Sequence, residues 1–346
     1  MNFGSDNASG VHPAIMDALA AANQGHASGY GRDPLTEEAV ERVRAVFEAP
    51  RAEIFFVGVG TASNALALAQ LCPPFGRIFC HRGAHIETSE SGAPGFMAGG
   101  AQMALIDGAD GRVTPAALND ALATYPQDDE HDGLNAVLSL SNATEMGTVY
   151  APERIAPLTA IAHAQDMAVH MDGARFANAV ASTGASPAEL TWRSGVDALS
   201  LGGTKDGCMA LEAVILFDPD RARHFSFRRM RAGHLWSKHR FLAAQMLAWL
   251  DDELWLRLAG HANAKARTLS HELTQISFAE ILNPVEANEI FVRLPQRRIE
   301  ALRKGGLRAA DWPMPGDSDT RMTIRLVTSW ATTEAEITAL VAALRR

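Results

Sequence analysis

The sequence predicts an α/β protein: a large domain built on a mostly parallel, seven-stranded sheet, followed by a small C-terminal α+β domain. Three observations predict it. Seven short apolar runs alternate with helical patterns between Glu53 and Phe217, the signature of βαβ units with a sheet covered on both faces. Beyond Phe217 the character changes, first to a basic stretch, Arg221 to Arg231, and then to a long helical region. The 346 residues exceed the roughly 150 of a typical single domain. With 47% hydrophobic and 21% charged residues the chain can bury a real core, which excludes disordered, collagen-like and coiled-coil classes.

The expected strands are Glu53 to Val57, Arg77 to His81, Met103 to Ile106, Ala136 to Leu140, Ala168 to Met171, Ala198 to Leu201 and Ala213 to Phe217. Crossover helices start at Thr114-Pro115, at Ala151-Pro152 and at Ser186-Pro187-Ala188-Glu189, where a cap, a first-turn proline and a glutamate three residues on make a capping box. A polar loop, Gln127 to Asp132, precedes the fourth strand. A helical region from about Trp236 to Leu273 leads into the strand-like Glu289 to Leu294 and Met322 to Val327. Past Thr333 the apolar residues Ile337, Leu340, Val341 and Leu344 fall at i, i+3, i+4 and i+7, one stripe of a final helix. The division predicted is an arm over 1–12, a large domain over 13–240 and a small domain over 241–346.

The 31 basic and 40 acidic side chains leave a formal charge of −9, the wrong sign for a protein that lives on phosphate backbones. Nucleic acid is therefore not an expected partner. Cys72, Cys80 and Cys208 form neither a disulfide framework nor a CxxC pair, and fit a cytoplasmic protein. The first residues lack a secretory pattern, and no uncharged apolar stretch nears the ~18 residues of a membrane helix, so no membrane partner is expected. Lysine occurs only at Lys205, Lys238, Lys265 and Lys304. Chemistry that needs a lysine amine has few candidates.

Three sites carry a chemical signal. In Val57-Gly58-Val59-Gly60-Thr61-Ala62 a strand breaks at glycines and enters an Ala-Leu helix, whose free N–H groups and dipole make an anion site at Gly60, Thr61 and Ala62. Alone this is weak, because glycine turns before helices are common and the run fits neither GxGxxG nor a Walker A loop. In Ala168-Val-His-Met-Asp172-Gly-Ala-Arg175 a strand ends in an aspartate, at the sheet edge where α/β proteins bind ligands. Its bland alternative is an Asp172–Arg175 ion pair or a helix cap. In Gly202-Gly-Thr-Lys205-Asp-Gly207 a lysine follows the next strand, between glycines. A surface lysine is the usual explanation, but an amine so held can form a Schiff base with a carbonyl. Phosphate anchor, aspartate and lysine, in this order, match the needs of pyridoxal phosphate.

At this point the sequence resembles the low-specificity L-threonine aldolases of the fold-type-I pyridoxal-phosphate enzymes, nearly end to end. The matching stretches are Ser5-Asp6-Asn7, Tyr30-Gly31, Gly60-Thr61-Ala62, Ala84-His85, His131, Ala143-Thr-Glu-Met-Gly147, His170-Met-Asp-Gly-Ala-Arg175, Gly202-Gly-Thr-Lys205 and Arg325. The resemblance implies that Lys205 carries pyridoxal 5′-phosphate, that Asp172 pairs with its pyridine nitrogen, and that Gly60, Thr61 and Ala62 hold its phosphate. It implies that His85 stacks on the ring near the substrate hydroxyl, and that Ser5, Arg175 and Arg325 bind the substrate carboxylate. His131 and Tyr30 would line the pocket, at least one of them from a neighbouring subunit. Arg231 and Lys238 match positions that meet the phosphate across a dimer interface. The reaction implied is reversible cleavage of L-threonine or L-allo-threonine to glycine and acetaldehyde, in a homotetramer with sites at dimer interfaces. The hydroxyl proton would go to His85 first, with His131 or a water next.

Arg32, Asp206 and Cys208 depart from the family pattern and bear on loop geometry, not on the lysine. A β-eliminating lyase or aminotransferase on the same scaffold is the nearest alternative, separated by its products. A non-catalytic cofactor-binding regulator ranks below both, since no DNA-binding module is appended. No metal is expected: His81 and His85 have HxxxH spacing, but Gly83 lies between them and no partner ligands follow. His163, His224, His239, His261 and His271 read as helix-surface residues, and His12 and His26 as loop-end residues.

Overall fold

The computed structural model describes residues 1–127 and 130–346. The large sheet contains β1 (Glu53–Val57), β2 (Gly76–His81), β3 (Gln102–Ile106), β4 (Leu134–Ser141), β5 (Ala168–Gly173), β6 (Ala198–Gly202) and β7 (Glu212–Leu216), in the spatial order β1-β7-β6-β5-β4-β2-β3. Each strand falls on one of the apolar runs. β2 pairs in parallel with β3 and β4, and β4, β5 and β6 continue the parallel set. β7 is antiparallel to both β1 and β6. The reason is the connection: residues 203–211 are fewer than the about twelve that a parallel crossover needs, so the chain must double back. Of the polar loop expected at 127–132, Asp128 and Asp129 lie outside the described residues.

Helices cover both faces: α1 (Pro13–Ala22), α2 (Pro34–Val46), α3 (Gly60–Leu71), the short α4 (His85–Thr88) and α5 (Ala93–Met97), α6 (Pro115–Thr124), α7 (Pro152–His163), α8 (Phe176–Thr183) and α9 (Phe225–Arg231). Local chemistry starts several of them. Prolines occupy the first turns of α1, α2, α6 and α7, and the side chains of Asp33 and Thr114 accept the Thr36 and Ala117 N–H groups. The helix expected at Ser186 does not form. Its capping-box bonds are made, Ser186 N–H to Glu189 Oε2 at 2.8 Å and Glu189 N–H to Ser186 Oγ at 3.2 Å. Thr191 then leaves helical geometry, Ser194 Oγ–H bonds back to the Glu189 carbonyl, and Trp192 Nε1–H is captured by the Phe47 carbonyl, so only turns and one short 3-10 segment follow. The helical region after Trp236 is two helices, α10 (Arg240–Leu250) and α11 (Leu254–Thr274), broken where Asp252 and Glu253 take left-handed φ of 45° and 52°.

A second sheet is fully antiparallel, with β8 (Glu280–Ile281), β9 (Glu289–Pro295), β10 (Ala310–Asp311) and β11 (Arg321–Val327) in the order β10-β11-β9-β8. α12 (Gln296–Lys304) and α13 (Glu334–Arg345) pack on it, the latter opened by a complete Thr333–Glu336 capping box. The two largest apolar cores lie one in each sheet's region. The larger draws on Leu242, Trp249, Trp255 and Ala259, and the smaller begins with Ala266 and Leu269, so α11 runs from one core into the other. Phe3, in the N-terminal arm, is buried in the smaller core.

Candidate active site

Because β1 to β6 point the same way, their carboxyl ends lie along one sheet edge, and the loops that leave β1, β2, β4, β5 and β6 line a cleft there. Two adjoining cavities of about 220 and 320 Å³ lie there. Both are lined by Asn7, His85, Asp172, Ala174 and Lys205. The first adds Ser5, Ser141, Glu145, Arg175, Trp312 and Arg325; the second adds Gly60, Thr61, Asn64, Glu90, Thr204 and Glu212.

Lys205 sits in a single 3-10 turn, Thr204–Asp206, directly after β6. Its half-buried ammonium has no hydrogen bond or ion pair among the described residues. The turn itself is clamped: Trp249 Nε1–H reaches the Asp206 carbonyl at 3.1 Å and Oδ2 at 3.0 Å. Burial pushes the Asp206 carboxyl well above its ordinary range.

Asp172, at the end of β5, is buried and accepts from the Ala174 N–H at 3.0 Å and from Asn64 Nδ2 at 2.9 Å. The same Asn64 amide donates to Glu90 Oε1 at 2.9 Å, and that oxygen also meets His85 Nδ1 at 2.9 Å. One connected chain thus runs His85–Glu90–Asn64–Asp172. The bond to Glu90 draws a proton onto His85 and raises its pKa, with burial opposing. The ligand atoms of His85, Glu90 and Asp172 lie within 4.8 Å of one another, but the Asn64 amide hydrogens already bridge the two carboxylates. Beneath Asp172, His170 bridges the Ser139 and Ser200 hydroxyls, and burial pushes it down to about 4, so it stays neutral.

The start of α3 carries no side-chain cap. Its first N–H groups, at Gly60, Thr61 and Ala62, have no intrahelical acceptor, and Gly60 and Thr61 line the second cavity. Glu212 faces the same cavity; burial pushes its carboxyl up to about 7, against the opposing pull of Thr204 and Lys205.

On the opposite side Arg175 is already engaged. Its Nε and Nη2 donate to Asp6 at 2.7 and 3.1 Å, and its Nη1 lies 3.3 Å from Glu289. Burial works to raise Asp6, but the Arg175 charge and hydrogen bond win and hold it at about 2. Arg325 is less committed: Nη1 contacts Glu289 at 3.2 Å, the guanidinium lies 4.8 Å from the Trp312 ring centroid, and Nε has no partner.

The fold therefore gathers Ser5, Gly60, Thr61, Ala62, His85, Asp172, Arg175, Lys205 and Arg325 at one edge. Four sequence candidates lie elsewhere within one chain. Tyr30, Arg231 and Lys238 are exposed and line neither cavity. Tyr30 and Lys238 belong to neighbouring loops, joined by a bond from the Tyr30 N–H to the Ser237 carbonyl at 3.1 Å. His131 precedes β4, whereas the cleft of the same chain lies past the strand's other end at Ser141, roughly 23 Å away at about 3.3 Å per residue.

The family model for β-eliminating lyases matches residues 2–296. The chain belongs to the β-eliminating lyase family. This family member is 44% identical to a low specificity L-threonine aldolase of Pseudomonas aeruginosa over 88% of either chain. It is 39% identical to the low specificity L-threonine aldolase of a Pseudomonas species, over 99% of this chain and 96% of that one. Among solved structures a Leishmania major threonine aldolase superimposes with a TM-score of 0.93 at 27% identity, covering 100% of this chain and 98% of the other.

In this lyase-family site the lining residues without a predicted role include Asn64, Glu90 and Glu145. Asn64 carried a weak signal, as a polar residue in an otherwise apolar helix start. Glu145 stands in a stretch that matched the family as a motif, with no role attached. Glu90 sits in a serine-rich loop that gave no sign of folding back beneath His85.

Proposed function

We propose that the protein uses pyridoxal 5′-phosphate to cleave L-threonine, L-allo-threonine and related β-hydroxy-α-amino acids to glycine and an aldehyde, and runs the reverse addition. One observation carries this reading: a partnerless lysine amine stands between an uncapped helix start and a buried aspartate, with an under-used arginine fork across the cleft. An amine for the aldehyde, N–H groups for the phosphate and a carboxylate for the ring nitrogen are the donor set the group requires, so the residues fit it. When bound, pyridoxal phosphate draws into its ring the electron pair released at the amino acid's Cα.

In this reading the chain's own groups divide the remaining work. Lys205 supplies the amine, and Gly60, Thr61 and Ala62 hold the phosphate. Asp172, kept in place by Asn64 and the Ala174 N–H, holds the proton on the ring nitrogen. His85, held by Glu90, would stack on the ring. Arg325, with Ser5, takes the substrate carboxylate, because a guanidinium fork binds it bidentately and fixes which bond at Cα stands ready to break. Arg175 anchors the arm through Asp6, and contributes to carboxylate binding through its charge.

The protein is in this reading a homo-oligomer, a tetramer with sites at dimer interfaces, in which Tyr30, His131, Arg231 and Lys238 reach the cleft from a second copy. No helix among the described residues is long and apolar enough to cross a membrane, and all three cysteines are free and buried, in keeping with a cytoplasmic enzyme.

Incubating the purified protein and cofactor with threonine, allo-threonine and phenylserine tests the reading: glycine plus aldehyde is the expected outcome. Ammonia plus a keto acid would replace it with β-elimination. Lys205→Ala should abolish both the visible absorbance of the bound cofactor and the cleavage, and Asp172→Ala should lower kcat by about 100-fold or more. Full turnover in Lys205→Ala would remove the mechanism.

A further inference from the structure

The cleft holds three acidic side chains near His85, and two are spoken for. Asp172 and Glu90 share the Asn64 amide, and Glu90 also holds His85. Glu145 differs in position and in bonding. It follows β4 and lines the cavity that carries Ser5 and Arg325, not the one that carries Gly60 and Thr61. Its Oε1 accepts from the His85 N–H at 2.8 Å and from the Ser141 hydroxyl at 2.7 Å. Its Oε2 is buried with no partner. A fixed carboxyl with one unused oxygen, on the carboxylate-binding side of the cleft, is the equipment of a proton acceptor.

His85 is the competing acceptor: its Nδ1 is tied to the buried Glu90, which raises its pKa and leaves Nε2 as its one uncommitted ring nitrogen, whereas Glu145 Oε2 is held on the side of Ser5 and Arg325.

We propose that Glu145, through Oε2, takes the proton of the substrate β-hydroxyl. The inference rests on the retro-aldol reading above. The O–H bond breaks toward Glu145 and its electrons form the aldehyde C=O. The Cα–Cβ bond breaks, leaving its electron pair on Cα. A solvent proton then reaches Cα to complete glycine, and Glu145 returns its own proton to solvent. Burial raises the Glu145 carboxyl above its usual range and Asp172 adds to this, while Ser141 and the His85 N–H pull the other way. Arg175, Cys80 and Tyr150 also feel its charge. Only the ionised form accepts a proton, so cleavage falls as pH drops through that raised value.

The test uses the holoenzyme and Glu145→Gln, which keeps an oxygen for the His85 N–H and Ser141. We expect kcat for L-allo-threonine to fall at least about 100-fold with KM changed less than about threefold, and the acid-side fall in kcat to vanish. Exchange of the glycine α-hydrogen in D2O needs the cofactor but no hydroxyl acceptor, and should fall by no more than about threefold. Glu145→Asp, which keeps the charge, should lower kcat yet retain the acid-side fall. In the cofactor-free protein, an infrared carboxyl band that titrates above the ordinary glutamate range should be missing in Glu145→Gln. Wild-type kcat in Glu145→Gln overturns the proposal, as does equal loss of cleavage and glycine exchange, or absence of the titrating band. A wild-type holoenzyme that exchanges glycine but cleaves no β-hydroxy amino acid overturns the functional reading instead, and this proposal with it.

Discussion

His85 shows how one buried neighbour sets the behaviour of a group in the cleft. Its ring meets Glu90 at 2.9 Å, and that bond is the largest influence raising its pKa above the ordinary 6.5. Glu90→Gln removes the charge and keeps the shape, so the His85 pKa should fall in the cofactor-free protein, read from its ring proton shifts by NMR. An unmoved value would mean that Asp172 and the wider field control it. The sign of the linked stability follows. Since the folded value is the higher one, the His85–Glu90 bond stabilises the protein most below about pH 6.5 and loses this contribution as pH rises through the raised folded value. Lys205 and Asp172 were legible in the sequence because each is a rare residue for its place, one of four lysines and a charge ending an apolar strand. Glu90 and Asn64 were not, since their meaning is a pair of 2.9 Å contacts between segments far apart in the chain.

Strands were read closely because an apolar run flanked by helix signals has one stable use, a strand buried on both faces of a sheet. The antiparallel turn-back of β7 follows from a loop length visible in the sequence, yet composition alone does not mark it. The Ser186 segment failed for the opposite reason: its local signal is real and its bonds are made, but a back-bond from Ser194 to Glu189 and a tertiary bond from Trp192 to Phe47 end the helix before it starts. The glycines beside the lysine act at this scale. A Cβ on Gly202 would stand 2.7 Å from the Ala174 Cα and 2.8 Å from its carbonyl oxygen, and backbone cannot move aside cheaply. Gly202→Ala should therefore separate the ends of β5 and β6, costing about 1–3 kcal/mol in urea unfolding, and should weaken cofactor binding about tenfold or more by displacing the Lys205 turn from Asp172. Wild-type stability together with wild-type cofactor affinity would mean that the two strand ends can part without disturbing the site.

Across the whole molecule the cleft is closed by parts distant in sequence. Asp6 from the arm meets Arg175 and Asn288, and Glu289 at the start of β9 meets both Arg175 and Arg325, so the small domain and the arm are fastened to the large sheet at the site itself. What a single chain leaves open is the outer rim. Phe227 is 73% exposed and Met230 58% on α9, and Val59 and Met209 are about half exposed at the cleft. Phe75 is 69% exposed and Leu134 42%, and they stand together through the bond from the Leu134 N–H to the Phe75 carbonyl. Phe96, 82% exposed, adds to these large apolar groups left in water, which subunit contacts in the proposed tetramer would cover. Each covered Phe or Met side chain adds roughly 1.5–3 kcal/mol to association, against the entropic cost of bringing subunits together. The double substitution Phe227→Asp with Met230→Asp should then give a smaller species by analytical ultracentrifugation. In the proposed tetramer Tyr30, Arg231 and Lys238 reach the cleft from a second copy, so this smaller species should also bind pyridoxal phosphate at least about tenfold more weakly. A wild-type protein that sediments as a monomer with full cleavage activity would remove those three residues from the site, leaving the cleft of one chain to do all of the chemistry.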